Sequence, residues 1–223
     1  MNAFNYVPLK EVCKVSSGYA FKSGSFKTGG NTPVIKIKNI KIGTTSLEDA
    51  GYVNSEFLDT MDKKYKVTGN DILISLTGSH MTQPNSVVGR VGRYPSQYPI
   101  ALLNQRAGKV IPNEELVDKT YLFYVLLGDD VRREIAQMAH GAASQANVSP
   151  SQVESVEIPL PDLILQKNIG SVLKGYDNLI ENNNRRIAIL EDMAQSLYRE
   201  WFVNLRYPNH EDNLDADGNP KFV

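Results

Sequence analysis

The stretch LILQKNIGSVLKGYDNLIENNNRRIAILEDMAQSLYREWFV, residues 163–203, decides the fold. Proline, which breaks helices, occurs at Pro161 and Pro208 but nowhere between them. Apolar residues recur in this stretch at alternating intervals of four and three, which is the heptad pattern of a coiled coil. The seam consists of Ile169, Leu173, Tyr176, Ile180, Asn183, Ile187, Leu190, Ala194, Leu197 and Trp201. The pattern therefore predicts one long α-helix that packs against a second helix.

A helix of this length needs a partner. About 40 residues at roughly 1.5 Å each give a length of about 60 Å, too long for a single small domain to cover the apolar seam. We expect an antiparallel homodimer, in which only the residue on the two-fold axis meets its own copy. Asn183 lies at the midpoint of 163–203 and is expected to hydrogen-bond its twin and set the register. The alternative is that Asn183 is only a tolerated polar interruption.

The sequence before this helix, residues 1–161, predicts a compact α+β unit with strands first and helices later. Alternation and turn formers predict strands, and the later change of period predicts helices. The expected elements are a short helix over 8–15, strands over 33–41, 71–76, 87–92 and 100–111, two helices over 114–138 that break near Gly128 and stop at Gly141, and a strand over 156–160. Asp162 is the expected N-cap of the long helix.

The predicted strand 33–41 has a basic outer face. Its sequence PVIKIKNIK places Ile35 and Ile37 on one side and lysines on the other. We interpret four lysines of this part of the chain as candidates for phosphate contact, namely Lys22, Lys36, Lys38 and Lys41. The alternative is a solvated strand face without a ligand.

The segment 77–93, TGSHMTQPNSVVGRVGR, is the second candidate for recognition. It connects two predicted strands and is rich in hydroxyl, amide and guanidinium groups, which are the groups that read base edges in DNA. The candidate side chains are Thr77, Ser79, His80, Gln83, Asn85, Arg90 and Arg93. The alternative is a long polar hairpin that binds nothing.

Composition favours a binding protein over an enzyme. The formal net charge is −1, but residues 1–112 contain 14 Lys and Arg against 7 Asp and Glu, while residues 151–223 contain 7 against 12. No GxGxxG, Walker or HExxH motif occurs, and no His, Cys and Asp cluster has metal-ligand spacing, so we predict neither catalytic nor metal residues. The single Cys13 and the absence of a long apolar run predict a cytoplasmic protein without a membrane partner.

Several segments together resemble the specificity (S) subunit of type I restriction-modification enzymes. In the first half they are VPLKEVCKVSSGYAFKSGSF, PVIKIKNI and GNDILISLTGS. In the second half they are QANVSPSQVESVEIPLPDLILQKNIGSVL, Asp177 in GYDNLIENNNRRI, and LEDMAQSLYREWFVNLRYPNHE. The resemblance covers nearly the whole chain and is most specific over 145–210.

The resemblance implies a division into three parts: a target-recognition domain over 1–161, a spacer and dimerisation helix over 162–203, and a C-terminal tail or linker over 204–223. It implies that the chain reads half of a bipartite target in double-stranded DNA. It also implies that the chain positions modification (M) and restriction (R) subunits there without catalysis of its own. S-adenosylmethionine and ATP would bind to those partner subunits, and this chain would hold no cofactor.

Family members usually carry two recognition domains and two such helices, whereas this sequence has one of each. It is therefore expected to be either a natural half-subunit that dimerises or a fragment of a longer subunit. Two other classes stay open. A coiled-coil scaffold whose front domain binds a protein or small ligand would show DNA affinity that does not depend on salt. A DNA methyltransferase or nuclease in its own right would act without added subunits.

Overall fold

The computed structural model describes residues 5–79, 87–142 and 145–219, and the chain divides into two compact units, Met1–Ser171 and Val172–Val223. In these residues the strands are β1 Tyr6–Pro8, β2 Cys13–Ser17, β3 Thr32–Ile35, β4 Gly43–Thr44, β5 Gly51–Val53, β6 Lys66–Val67, β7 Ile72–Ser75, β8 Thr77–Gly78, β9 Val91–Arg93, β10 Ala101–Leu103, β11 Ala107–Pro112, β12 His140–Ala142, β13 Gln145–Asn147 and β14 Glu157–Pro159. The α-helices are α1 Glu56–Thr60, α2 Lys119–Leu127, α3 Asp129–Gln137, α4 Pro150–Glu154 and α5 Leu163–Tyr198.

Two main sheets form the first unit. The larger has the strand order β2-β11-β7-β9-β4, and the smaller has the order β5-β3-β10-β6. Most neighbours are antiparallel, but β3 pairs with β10 and β4 with β9 in parallel. The strands β12, β13 and β8 make a separate three-stranded sheet, and β1 pairs with β14. This is the mixed strand and helix domain that the sequence predicts.

The two sheets lie between three apolar cores, so that each sheet has a core on both of its faces. Ile72 and Ile74 of β7 face the first, which we call the main core, while Leu73 between them faces the second, the middle core. In the same way β10 directs Leu103 into the middle core and Leu102 into the third, the outer core. Successive side chains of a strand point to opposite faces, so a strand between two cores carries apolar residues at successive positions.

Two helices cover the main core, and the structure confirms the predicted break at Gly128. Leu122 of α2 and Ile135 of α3 are fully buried there. The side chain of Asp118 accepts a hydrogen bond from the N–H of Tyr121 at 2.8 Å and so caps α2. α3 ends at Gln137, however, and Gly141 lies in β12 rather than at a helix end, so that predicted stop is wrong.

The predicted helix over 8–15 is also wrong. A strand, a single 3-10 turn over Leu9–Glu11 and the strand β2 take its place. Leu9, Val12 and Val15 are all buried, so their spacing of three reports a shared core and not a helical face. A turn followed by a strand can bury residues at the same interval as a short helix.

The strand predicted over 33–41 ends at Ile35 and is buried on both faces. A 3-10 turn over Ile37–Asn39 follows, because the Asn39 carboxamide oxygen accepts from the N–H of Lys36 at 2.9 Å and its Nδ2 donates to the carbonyl of Ser46 at 3.1 Å. The lysines therefore do not alternate along a strand. The predicted strand 100–111 likewise divides into β10 and β11, with a turn closed by the N–H of Ala107 on the carbonyl of Asn104 at 2.9 Å.

The long helix is confirmed. α5 runs for 36 residues from Leu163 to Tyr198 and continues as a π-helical turn over Arg199–Val203. The Asp162 carboxylate accepts from the N–H of Leu165 at 2.9 Å, which is the predicted N-cap. At about 1.5 Å per residue, α5 is about 54 Å long.

Candidate nucleic-acid interface

The structure brings the two predicted recognition segments together. β4 follows the lysine-containing turn and pairs with β9, with Thr44 opposite Arg93. The Arg90 guanidinium donates to the carbonyl of Ile40 at 3.4 Å, and the N–H of Lys41 donates to the carbonyl of Thr44 at 2.9 Å. The segments 36–45 and 87–93, far apart in sequence, therefore share one edge of the larger sheet.

The four candidate lysines differ in their surroundings. Lys22, Lys38 and Lys41 are exposed. Lys36 is half-buried, and its ammonium lies 3.9 Å from the centre of the Phe26 ring. Burial, together with the charge of Lys38, lowers the pKa of Lys36. Phosphate contact stays a prediction for all four, and the exposed lysines suit it best because an ammonium in water reaches a phosphate without leaving a protein contact.

Arg93 packs against α2, and Arg90 lies near enough to α3 for the charge of Arg132 to act on it. The Arg93 guanidinium lies 3.9 Å above the ring of Phe123, a cation–π contact with α2. Burial lowers the pKa of Arg90, and the charge of Arg132 in α3 lowers it further. The fold thus gives both arginines a structural role, and base contact by either of them stays a prediction.

Thr77 is buried, and its hydroxyl donates to the side-chain oxygen of Asn147 at 2.8 Å. The carbonyl of Ser79 accepts from the N–H groups of Val87 and Val88 at 3.3 and 3.4 Å. His80, Gln83 and Asn85 lie outside the described residues. Of the predicted base-reading segment, the structure therefore describes only the two ends.

Sequence reasoning misses three exposed polar residues beside this segment. They are His140, Gln145 and Asn147 on β12 and β13. Composition alone predicts a polar loop over 139–152, although Gln145, Ala146, Asn147 and Val148 alternate between polar and apolar. That alternation marks a short half-buried strand, and the structure exposes the polar pair and buries the apolar pair.

Three structural observations bear on catalysis, metal binding and membranes. Burial raises the pKa of the Cys13 thiol to about 12, and the charge of Glu154 adds to the effect, so the thiol stays protonated at neutral pH. Among residues 5–79, 87–142 and 145–219, no three His, Cys, Asp or Glu side chains cluster to hold a metal ion. In the same ranges no helix has the length and apolar character needed to cross a bilayer.

The first two turns of α5 belong to the first unit, Met1–Ser171, which is named the recognition unit after the role that the sequence predicts for it. Gln166 is buried there and bridges three backbone groups: its side-chain oxygen accepts from the N–H of Asp118 at 2.8 Å, and its amide donates to the carbonyls of Pro161 at 2.8 Å and Leu116 at 3.3 Å. Ile169 packs against the main core, so the predicted dimer residue nearest the domain is already half-covered. At Gly170 a side chain would meet Asp118 and Tyr121 at 3.1 Å.

Beyond Gly170 the helix changes character, because every residue from 171 to 199 is exposed. Ile180, in the middle of the seam, has 58 % of its surface exposed. The large apolar residues of the seam that share this exposure are Leu173, Tyr176, Ile180, Ile187, Leu190 and Leu197, and Val172, Leu179 and Met193 widen the stripe. Asn183 is exposed and Trp201 half-buried. A stripe of this size marks an interaction surface.

Comparison with known proteins agrees with both features, the mixed domain and the helix after it. The family described as type I restriction modification DNA specificity domain matches residues 1–192, which is most of the chain. The chain belongs to that family. The matched residues extend from the N-terminal strands through most of α5.

Two of the curated relatives with similar sequences are specificity subunits from Methanocaldococcus jannaschii. The type I restriction enzyme MjaVIII specificity subunit is 30% identical over 194 residues, which are 86% of this chain and 43% of the relative. The putative type I restriction enzyme MjaX specificity subunit is 26% identical over 196 residues, 87% of this chain and 44% of the relative. This specificity domain thus spans less than half the length of the curated relatives it matches.

A solved structure shares the fold. The crystal structure of a type I restriction-modification S subunit from M. genitalium superposes with a TM-score of 0.63 at 17% identity, covering 91% of this chain and 47% of that one. The superposition confirms the fold class of the specificity domain, a mixed strand and helix domain followed by a long helix.

Proposed function

We propose that the chain is the DNA-reading component of a type I restriction-modification complex. In this role the first unit binds half of a bipartite target in duplex DNA, and α5 joins that unit to a second copy. The observation that carries the proposal is the combination of a specificity domain with a helix whose apolar stripe is exposed from residue 172 onward. A recognition domain that needed no partner would have no use for such a helix.

A second copy of this chain is the proposed occupant of the stripe. The seam repeats with the coiled-coil spacing over more than four heptads, and two identical helices present identical, complementary stripes. Antiparallel pairing would relate the two recognition domains by a two-fold axis. The axis would pass near Asn183, whose amide would then meet its own copy and favour one register.

Two-fold symmetry determines the form of the target. Identical domains related by a two-fold axis read the same bases in opposite directions, so the target would be an interrupted palindrome. The centres of the half-sites would lie about 35–50 Å apart, roughly one to one and a half turns of DNA.

The chain would recognise the DNA sequence and hold the partner subunits there, and the partner subunits would catalyse the reactions. Modification subunits holding S-adenosylmethionine would methylate the target, and restriction subunits using ATP would translocate and cut. In this scheme the chain itself has no catalytic residue, metal or cofactor.

The test begins with the purified 223-residue chain and a pool of randomised duplex DNA. We expect selection to enrich an interrupted palindrome, and log affinity for that duplex to fall linearly with log salt concentration. An affinity independent of salt, with no enriched sequence, would contradict DNA reading and favour a scaffold. Methylation or cleavage by the chain alone would contradict the absence of catalysis.

The same assay tests the candidate residues. Replacing Lys38 or Lys41 by alanine should weaken binding equally on all sequences and lower the salt slope by about one for each phosphate that the variant no longer neutralises. Replacing Gln83 or Arg90 should instead relax sequence preference, because base-edge contacts discriminate and phosphate contacts do not. Equal weakening on every sequence for both sets would show that the reading residues lie elsewhere.

A further inference from the structure

The three-stranded sheet β12-β13-β8 carries a polar row of which the sequence predicts only Thr77 as a DNA contact. In its register Asn147 of β13 lies opposite His140 on one side and opposite Thr77 on the other. Residues directly opposite one another in a sheet share a face, so the imidazole, the amide and the hydroxyl form one row across three strands. Gln145 lies two residues before Asn147 and is therefore on the same face.

The other face of this sheet is anchored. Ala146, between Gln145 and Asn147, is fully buried in the main core, and Val148 after it is buried as well. A slip of one residue would exchange the two faces and expose these apolar side chains. The core therefore keeps His140, Gln145 and Asn147 exposed.

Thr77 also orients the amide of Asn147. The Thr77 hydroxyl is buried and donates to Oδ1 of Asn147 at 2.8 Å. Because this bond is made to the oxygen, the group that the exposed amide presents is Nδ2, which is a donor. Residues 135–153, which include both strands, contain no Asp or Glu.

We propose that the paired strands β12 and β13 contact duplex DNA, and that Asn147, held by Thr77, donates an amide hydrogen to an acceptor there. A two-stranded ribbon fits the major groove, where guanine, adenine and thymine present acceptors, and phosphate oxygens offer the same chemistry at the groove edge. Thr77 is then a positioning residue and not a base reader. This inference rests on the proposed function, because it names a contact of the same DNA-binding unit.

The experiment uses the full chain and a duplex enriched by wild type from a randomised pool. Asn147→Ala should lower affinity at least about fivefold, which is the smallest effect expected when a base edge loses its hydrogen-bond partner. Asn147→Asp should lower it further, because it replaces the donor by a negative charge. The matched control is Asn54→Ala, which removes another exposed asparagine, in the loop before α1 that packs on the outer core, and should leave affinity unchanged.

A double-mutant cycle tests the role of Thr77. Thr77→Val should weaken binding in the wild-type background but add nothing to Asn147→Ala, because it acts only through that amide. Thr77→Ser keeps the hydroxyl and should restore binding. Additive weakening in the double variant would overturn the positioning role.

Single-base changes in the duplex identify the acceptor. If Asn147→Ala removes discrimination at one position, the acceptor is a base edge, and if affinity falls equally on all sequences, it is a phosphate. Unchanged affinity of Asn147→Ala on the enriched duplex would overturn the contact of β12 and β13 with DNA and leave the proposed function intact. Failure of wild type to enrich or bind any duplex would overturn both.

Discussion

The recognition unit and the helix after it are stabilised in opposite ways. In the unit, strands between stacked cores bury side chains on both faces, so that Leu73 and Ile74 are adjacent in sequence and lie in different cores. In α5, every residue from 171 onward is exposed up to the end of the helix at Tyr198. In the recognition unit the apolar side chains pack against one another. In α5 beyond residue 171, a large apolar surface has no packing partner within the described part of the chain.

This difference bears on stability as well as on function. A helix gains most of its stability from packing an apolar face, and isolated helices are marginal in water. Gly175 lies in the exposed part of α5, where glycine costs roughly 1 kcal/mol relative to alanine. The recognition unit should therefore fold by itself, while the helix should depend on a second copy.

The largest effect is expected in the seam. Ile180→Asp removes an apolar side chain from each of two copies at roughly 1.5–3 kcal/mol per fully buried side chain, and it also buries charge. Since about 1.4 kcal/mol is tenfold, self-association should weaken at least about 100-fold in sedimentation equilibrium. The recognition unit should keep its fold.

The matched control for the seam is Asn178→Asp, which adds the same charge two residues earlier on the opposite side of the helix. Self-association should hardly change in this variant. Equal weakening in both variants would show that added charge, and not the damage to the seam, separates the copies. A wild-type chain that sediments as a folded single copy at micromolar concentration would contradict the pairing altogether.

The next effect is expected in the main core. Leu122→Ala should reduce the free energy of unfolding of the recognition unit by about 2–5 kcal/mol, because it leaves a cavity among fully buried side chains. Leu116→Ala is the control, since Leu116 is 47 % exposed and its truncation should cost much less. Urea unfolding at fixed protein concentration measures both. A change in the self-association constant on Leu122→Ala would contradict the independence of the recognition unit and the paired helix.

The same difference explains which parts of the fold the sequence could predict. Ten seam positions at regular spacing define α5 because a pattern repeated that often has no competing interpretation. Gly128 between two apolar stretches marks the break of α2 and α3 for a similar local reason. β4 and β8, with two residues each, are shorter than one full alternation and leave no pattern to detect.

Long-range contacts limited the prediction of the site. Nothing near Arg93 in the sequence shows that its guanidinium lies on Phe123, thirty residues away. The carboxamide of Asn39 ends the predicted lysine strand by bonding Lys36 and Ser46, which a periodicity argument cannot anticipate. Thr77 is among the predicted base readers, and its partner Asn147 lies seventy residues later. Composition indicates a candidate region, but the contacts of individual residues follow only from the fold.

A smaller effect is expected where the two regions meet along the chain. Gln166→Leu keeps the size of the side chain but leaves the N–H of Asp118 and two carbonyls without their partner, which should cost about 1–3 kcal/mol in the unfolding of the recognition unit. Lys167→Leu is the control, because it makes the same change at an exposed neighbour. Similar destabilisation in both variants would indicate that the apolar substitution itself is responsible and that the bridge contributes little.

The smallest change in association energy is expected at Asn183. Asn183→Ile completes the apolar seam, so the dimer should be retained or tightened, by less than the roughly 1.5–3 kcal/mol of one fully buried aliphatic side chain because the exchange also removes the amide contact. If the amide sets the register, its removal should permit parallel as well as antiparallel pairs, because the polar contact no longer penalises other alignments.

Tyr176→Cys, a second substitution within the seam, reports the orientation of the pair. In a parallel pair the two thiols lie level and form a disulfide, whereas in an antiparallel pair centred on Asn183 they lie about 21 Å apart along the helix axis. Cys13, with its raised thiol pKa and buried position, should not compete in this reaction. Tyr176→Cys alone should give no such disulfide, and its combination with Asn183→Ile should give a substantial fraction. An equally antiparallel double variant would reduce Asn183 to a polar interruption that the helix tolerates.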